Sequence, residues 1–176
     1  DDLRARAKKN LKLAIFTGVY AGLPLEEACK KIKSDGFGAV VLEGNFADVR
    51  FDPLAPDWEA ADKITSCLER NGIKVVGLYG YYNVVAPNPQ IRTRGEQRMQ
   101  FLIENWKRLG SNNISTETGS FNPKSEWDDS PENATEAAYQ QCRASLEKFA
   151  RLAEKTGAVI SIEPYWKNVI SSAESL

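Results

Sequence analysis

Two textures of hydrophobic spacing alternate along this 176-residue chain. Short runs rich in Val, Ile and aromatic residues predict buried strands. Between them lie longer stretches in which apolar residues return every three or four positions, the period of an amphipathic helix. Strands are expected at 11–18 (LKLAIFTG), 38–44 (GAVVLEG), 73–82 (IKVVGLYGYY), 113–119 (NISTETG) and 158–164 (AVISIEP). Helices are expected at 23–36, 55–72, 95–110 and 135–157. Pro24, Glu26 and Glu27 mark the start of the first helix and Gly36 its end, while Asn71-Gly72 stops the second. Apolar stripes run through Leu25, Ala28, Cys29 and Ile32, through Met99, Leu102, Ile103, Trp106 and Leu109, and through Cys142, Leu146, Phe149, Ala150 and Ala153.

Five βα repeats with apolar strands imply a parallel sheet covered by helices. Two architectures fit: an open doubly wound sheet, or part of a (β/α)8 barrel. No GxGxxG or Walker loop follows the first strand, which argues against a nucleotide-binding doubly wound sheet. A complete barrel needs roughly 250 residues, so a barrel reading makes this chain a partial one. Residues 1–176 read as one domain, with 1–10 as an N-terminal extension or helix.

Composition narrows the chemistry. Net charge is −1, with basic residues scattered among acidic ones, so no electrostatic footprint for nucleic acid or an anionic membrane is expected. No apolar run approaches membrane-spanning length. The three cysteines, Cys29, Cys67 and Cys142, sit on helix stripes and read as buried thiols, in keeping with a cytoplasmic protein. Histidine is absent, which removes Ser-His-Asp, Cys-His and His-rich zinc chemistry from anything this chain does alone. Carboxylates, Lys or Tyr must do the work.

In either architecture function gathers at the C-terminal ends of the strands. Those ends carry Thr17-Gly18, Glu43-Gly44, Tyr81-Tyr82-Asn83, Glu117-Thr118 and Glu163-Pro164. Glu43 and Glu117 read equally well as solvated turn residues. Glu163 stands apart: its strand is apolar up to the carboxylate, and a lone buried charge there calls for a metal or substrate partner. Clustered carboxylates suit Mg²⁺ or Mn²⁺. The aromatic residues Tyr79, Tyr81, Tyr82, Trp127, Tyr165 and Trp166 are expected near the same rim, where ring faces beside carboxylates suit a polyhydroxy ligand.

The ordered segments LKLAIFTG, LEEACKKIKSDGFGAVVLEG, NVVAPNPQIRTRG, STETGSFNP, SPENATEAA and VISIEPYWKNVI resemble the xylose isomerase-like sugar phosphate isomerase/epimerase superfamily, from about residue 11 to 172. The resemblance implies a (β/α)8 TIM barrel of which this chain supplies about five βα units. It also implies a divalent metal (Mn²⁺, Mg²⁺, Co²⁺ or Zn²⁺) and a sugar, sugar phosphate or polyol whose proton moves next to a carbonyl. Glu163 matches the first metal-binding, proton-moving glutamate, and the other ligands of that family belong to later strands. Glu43, Tyr81, Asn83, Glu117 and Trp166 are the expected substrate-binding set. Where relatives often read Asn-x-x-His-Pro-Asp, this sequence has Ala86 and Asn88; where they often read His-Pro-Glu-Asn, it has Ser130. A same-fold lyase of the inosose or dehydroshikimate dehydratase type is the alternative activity. A non-catalytic sugar-binding or scaffolding partial barrel is the alternative from another class.

Five parallel strands cannot close a barrel. Completion by a missing C-terminal segment, by another chain or by homo-oligomerisation is therefore expected. Ile15, Val41, Val76 and Ile160 are expected on the inner face, without an opposite wall.

Overall fold

The computed structural model describes residues 3, 5, 6 and 10–176. The extension or helix expected over 1–10 falls largely outside them. The chain divides into two compact units, residues 1–52 with 56–76, and residues 53–55 with 77–176. One domain over 1–176 stays an expectation.

The first unit contains β1 (Ala14–Phe16), a 3-10 turn at Thr17–Tyr20, α1 (Leu25–Ser34), β2 (Ala39–Leu42) and α2 (Trp58–Arg70). It also holds the first half of β3 (Lys74–Tyr79). β1 and β2 pair in parallel, with Ala14 opposite Ala39 and Phe16 opposite Val41. Pro24 precedes α1, Glu26 and Glu27 occupy its first turn, and Lys31 and Lys33 its last, each sign matching the helix dipole. Asp57 caps α2 by accepting the Glu59 and Ala60 N–H groups at 3.0 and 3.2 Å. The α1 stripe is buried as the spacing predicts, through Leu25, Cys29 and Ile32, and α2 buries Ile64, Cys67 and Leu68. The Sγ atoms of Cys29 and Cys67 lie 3.2 Å apart, both thiols free and fully buried.

The second unit contains the rest of β3, α3 (Pro89–Leu109), β4 (Asn113–Thr116), a 3-10 turn at Pro131–Ala134, α4 (Glu136–Thr156) and β5 (Val159–Ile162). All pairings are parallel: Tyr79 lies opposite Ser115, and Thr116 opposite Ile162. α3 begins six residues before the expected start at 95. Asn88 accepts the Gln90 N–H at 2.9 Å and Pro89 takes the first helical position, which needs no N–H donor. Gly95 is therefore interior to the helix. A Cβ there would stand 1.9 Å from Cδ2 of Tyr82, so glycine is what admits that ring against the helix.

Register separates the two faces of the sheet. Leu78, Ile114 and Thr116 are buried under the helices, whereas Tyr79, Ser115 and Glu117 alternate onto the open face. This corrects the inner-face assignment for three residues. Ile160 pairs with the fully buried Ile114, Ile15 pairs with the fully buried Val40, and Val76 lies two residues before Leu78, so all three share the helix-side phase. Val41 alone of the four is in phase with an open-face strand end, Glu43. On α4, Ala150 is exposed and Leu146 half-buried. With Cys142, Ile160 and Ile162 they line a groove of about 290 Å³ between α4 and β5.

Candidate functional site

Three strand exits of the second unit carry their chemistry on one rung. Tyr79 pairs with Ser115, so Tyr81 and Glu117, each two residues on, fall at one level and on one face. Thr116 pairs with Ile162, so Glu117 and Glu163 are also level, and the Glu163 N–H reaches the Thr116 carbonyl at 2.9 Å. Adjacent strands lie roughly 4.8 Å apart, so Tyr81, Glu117 and Glu163 form a row across β3, β4 and β5.

The row is held from one end. Tyr81 donates its hydroxyl to Glu163 Oε2 at 2.7 Å, reaching across β4 to do so. Its ring stacks on Tyr79 with centroids 4.7 Å apart, and Arg98 lies over the Tyr79 ring at 5.7 Å. Burial, then the Glu163 carboxylate, pushes the Tyr81 hydroxyl above its ordinary range, so it stays a donor. Glu117 is half-buried, and among the described residues no hydrogen bond reaches its carboxyl. Burial first, and then the charges of Glu163 and Glu126, push Glu117 up to about 7. One rung thus brings together an exposed carboxylate, a proton-retaining neighbour and a phenol that orients the first.

A buried polar frame fixes the loops that leave these strands. Asn83 is 5% exposed; its Nδ2 donates to the Ser120 carbonyl at 2.8 Å and its Oδ1 accepts the Val85 N–H at 3.2 Å. Asn168 Oδ1 accepts the Gly119 N–H at 2.9 Å while its Nδ2 donates to the Glu126 carbonyl at 3.1 Å. Asn133 accepts from the Phe121 N–H at 2.9 Å and donates to the Lys167 carbonyl at 2.8 Å and to Ser120 Oγ at 2.9 Å. Gly119 has φ +74°, and a Cβ on it would stand 2.0 Å from Asn83 Oδ1. Sequence reasoning missed Ser120, Asn133 and Asn168. The one available signal was an asparagine beside an apolar pair in "KNVI", next to an exit glycine on the neighbouring strand.

The other expected site residues fall as follows. Glu43 belongs to the first unit, where its N–H donates to Thr17 Oγ1 at 2.9 Å. Its carboxylate lies over Gly18, at which a Cβ would stand 1.9 Å from Oε2. Trp166 is 71% exposed, with the Lys167 ammonium 4.8 Å from its ring. Tyr82 turns away from the rim, packing edge-on against Phe149 at 6.5 Å. Among the described residues no group of three or more His, Cys, Asp or Glu is placed to hold a metal ion, so these residues do not by themselves fit one.

A family model described as xylose isomerase-like TIM barrel matches residues 28–176. The chain belongs to that family. Its five parallel strands alternating with helices are a partial barrel of this fold. Among solved structures it is similar to a xylose isomerase-like TIM-barrel protein from Mycobacterium smegmatis in complex with magnesium (TM-score 0.70, 13% identity, 95% of this chain and 59% of that one). It is also similar to the probable 3-DHS dehydratase AsbF from Bacillus anthracis (0.68, 12%, 94% and 56%). A third is D-psicose 3-epimerase with D-tagatose from Clostridium cellulolyticum (0.63, 18%, 94% and 57%). The chain spans a little over half the length of these structures. No curated protein matches it at a significant level. Among the described residues no helix is long and apolar enough to cross a membrane.

Proposed function

We propose that this chain serves a metal-dependent sugar or polyol isomerase/epimerase that moves a proton at a carbon next to a carbonyl. The observation that carries the reading is Glu163, level with Glu117 and held by Tyr81 at 2.7 Å, on the exit rung of three paired strands. Glu163 takes the proton from carbon, the C–H electron pair moves toward the carbonyl oxygen, and an enediolate results. Delivery of a proton to the opposite face, by a donor other than Glu163, epimerises the centre; return of the Glu163 proton to the neighbouring carbon, with a hydroxyl proton passing between the two oxygens, isomerises the sugar. Glu117, keeping its proton near neutrality, donates a hydrogen bond to a substrate oxygen. Tyr81 keeps the Glu163 carboxylate aimed. A divalent ion would polarise the carbonyl; Glu163 offers it one ligand, and this reading takes the remaining donors from outside the 176 residues.

In this proposal Trp166 faces the substrate, while Asn83 acts by holding the loop that leaves β3. The open α4–β5 groove supports completion by further barrel elements or by another copy of the chain. Three free buried thiols suit a reducing cytoplasm. A same-fold lyase is the second reading, favoured by the likeness to a probable dehydratase; it would release water from a β-hydroxy ketone.

The test is proton wash-in. The protein is incubated with Mn²⁺ and a ketose in D₂O, and deuterium at the carbon beside the carbonyl is followed by NMR. Glu163→Gln is expected to slow exchange by about 100-fold or more. Unchanged exchange in that variant would sink the proposal. Water loss in place of exchange would install the lyase.

A further inference from the structure

Beside the carboxylate rung lies a cleft of about 460 Å³ between the segment that leaves β3 and enters the first turn of α3 (83–91) and the loop leaving β4 (122–127). Its size is in the range of small-ligand sites. Ile91, Ala86 and Pro87 give it an apolar wall, and Trp127 and Glu126 stand in the opposite loop. Trp127 is 45% exposed, and a T-shaped contact with Tyr165 at 5.7 Å fixes its ring. The indole is therefore pre-positioned, which lowers the ordering cost of stacking a ligand on it. Glu126 makes no side-chain hydrogen bond among the described residues, and burial pushes its carboxyl above the ordinary range. Such a carboxyl gains from any hydroxyl donor that enters.

The cleft is poorly equipped for an anion. Lys124 is the one basic residue among the described residues that line it. Arg92, on the adjoining helix turn, is committed to the carbonyls of Ala86 and Pro87. The N-terminus of α3 adds little. Pro89 has no N–H, Gln90 gives its own to Asn88 Oδ1 at 2.9 Å, and Arg92 gives its own to the Asn88 carbonyl at 3.3 Å. Glu126 adds a carboxyl to the same lining, so Lys124 alone offers a phosphate a positive charge there.

We propose that this cleft is a subsite for an uncharged glycosyl ring, stacked on Trp127 and hydrogen-bonded to Glu126, and that the substrate is a neutral glycoside-type sugar rather than a sugar phosphate. The inference rests on the functional reading above for the placement of the reacting carbon at Glu163.

Saturation-transfer NMR on the full chain tests it with three probes: maltose, methyl α-D-glucopyranoside and D-glucose 6-phosphate. Maltose is expected to bind best and the phosphate at least about tenfold more weakly. Trp127→Ala and Glu126→Gln should each weaken maltose binding about tenfold, while Trp127→Phe, which keeps a ring, should restore most of it. Preference for the phosphate, binding indifferent to both Trp127→Ala and Glu126→Gln, or no binding of any probe at millimolar concentration would overturn the subsite. Glu163→Gln separates the two ideas: maltose binding should survive in it, whether or not the exchange reaction proves real.

Discussion

Tyr81 and Glu163 leave strands that are not neighbours, yet the phenol of one gives the carboxylate of the other a 2.7 Å hydrogen bond. The bond spans β4 and passes the level of Glu117. Because Tyr81 is itself stacked on Tyr79, Glu163 is tied to a braced ring rather than to a mobile side chain.

Tyr81→Phe keeps the ring stack and deletes only the donor. Glu163 is exposed, so the stability lost should be at most about 1 kcal/mol, read from urea midpoints. Deuterium exchange at the substrate carbon should fall about tenfold, since a freed carboxylate samples unproductive rotamers. A Phe variant equal to the native protein in exchange would show that the bond is incidental.

Glu117 makes stability depend on pH. Its carboxyl is raised from the ordinary 4.5 to about 7, chiefly by burial. Below about 4.5 it is neutral in folded and unfolded chains alike. Between about 4.5 and 7 the unfolded chain releases the proton first, so this group's contribution to stability falls as pH rises and levels off above about 7. Glu117→Gln should remove that slope and be relatively more stable at pH 8 than at pH 4. Denaturant midpoints for both proteins across that range measure it. A difference independent of pH would rule out the raised pKa.

Gly119 admits no side chain. Its φ of +74° disfavours an L residue, and a Cβ would stand 2.0 Å from Asn83 Oδ1 and 2.8 Å from Asn83 Cα. Gly119→Ala should therefore cost about 3 kcal/mol or more, seen as a lowered melting temperature. Asn83→Ala clears the side-chain overlap but not the backbone one, so the double variant should be less destabilised than the sum of the singles. Strict additivity would place the cost of Gly119→Ala elsewhere.

The thiols should be silent in the folded protein. Burial, then contact with the partner thiol, pushes Cys29 up to about 12; burial does the same to Cys142, and Cys67 is raised as well. A chromogenic disulfide reagent should label none of the three within minutes at pH 8, and all three in denaturant. Rapid labelling under native conditions would contradict their burial.

Much of this was legible because it depends on local spacing. The helix stripes place Cys29, Cys67 and Cys142 in the core by period alone, and the strand ends put Glu117 and Glu163 where chains open out. What escaped depends on contacts between distant loops. Nothing near Asn168 in the sequence announces that its amide holds Gly119 and the Glu126 carbonyl, 49 and 42 residues away. The start of α3 was placed late because Gly95 looks like a helix boundary until Tyr82 is seen against it. The inner-face assignment of Ile15 and Ile160 failed for a related reason: apolar residues on both faces of a parallel strand leave its phase unmarked until the pairing is known.

The shared rung of Tyr81, Glu117 and Glu163 also says where this chain can tolerate editing. Loops between the strands can lengthen or shorten while the rung stays level, because pairing and not loop length aligns it. A single residue inserted within β4 would do the opposite. It would turn Glu117 toward the helices and bring Thr116 to the open face, leaving every loop untouched and the row broken at its centre.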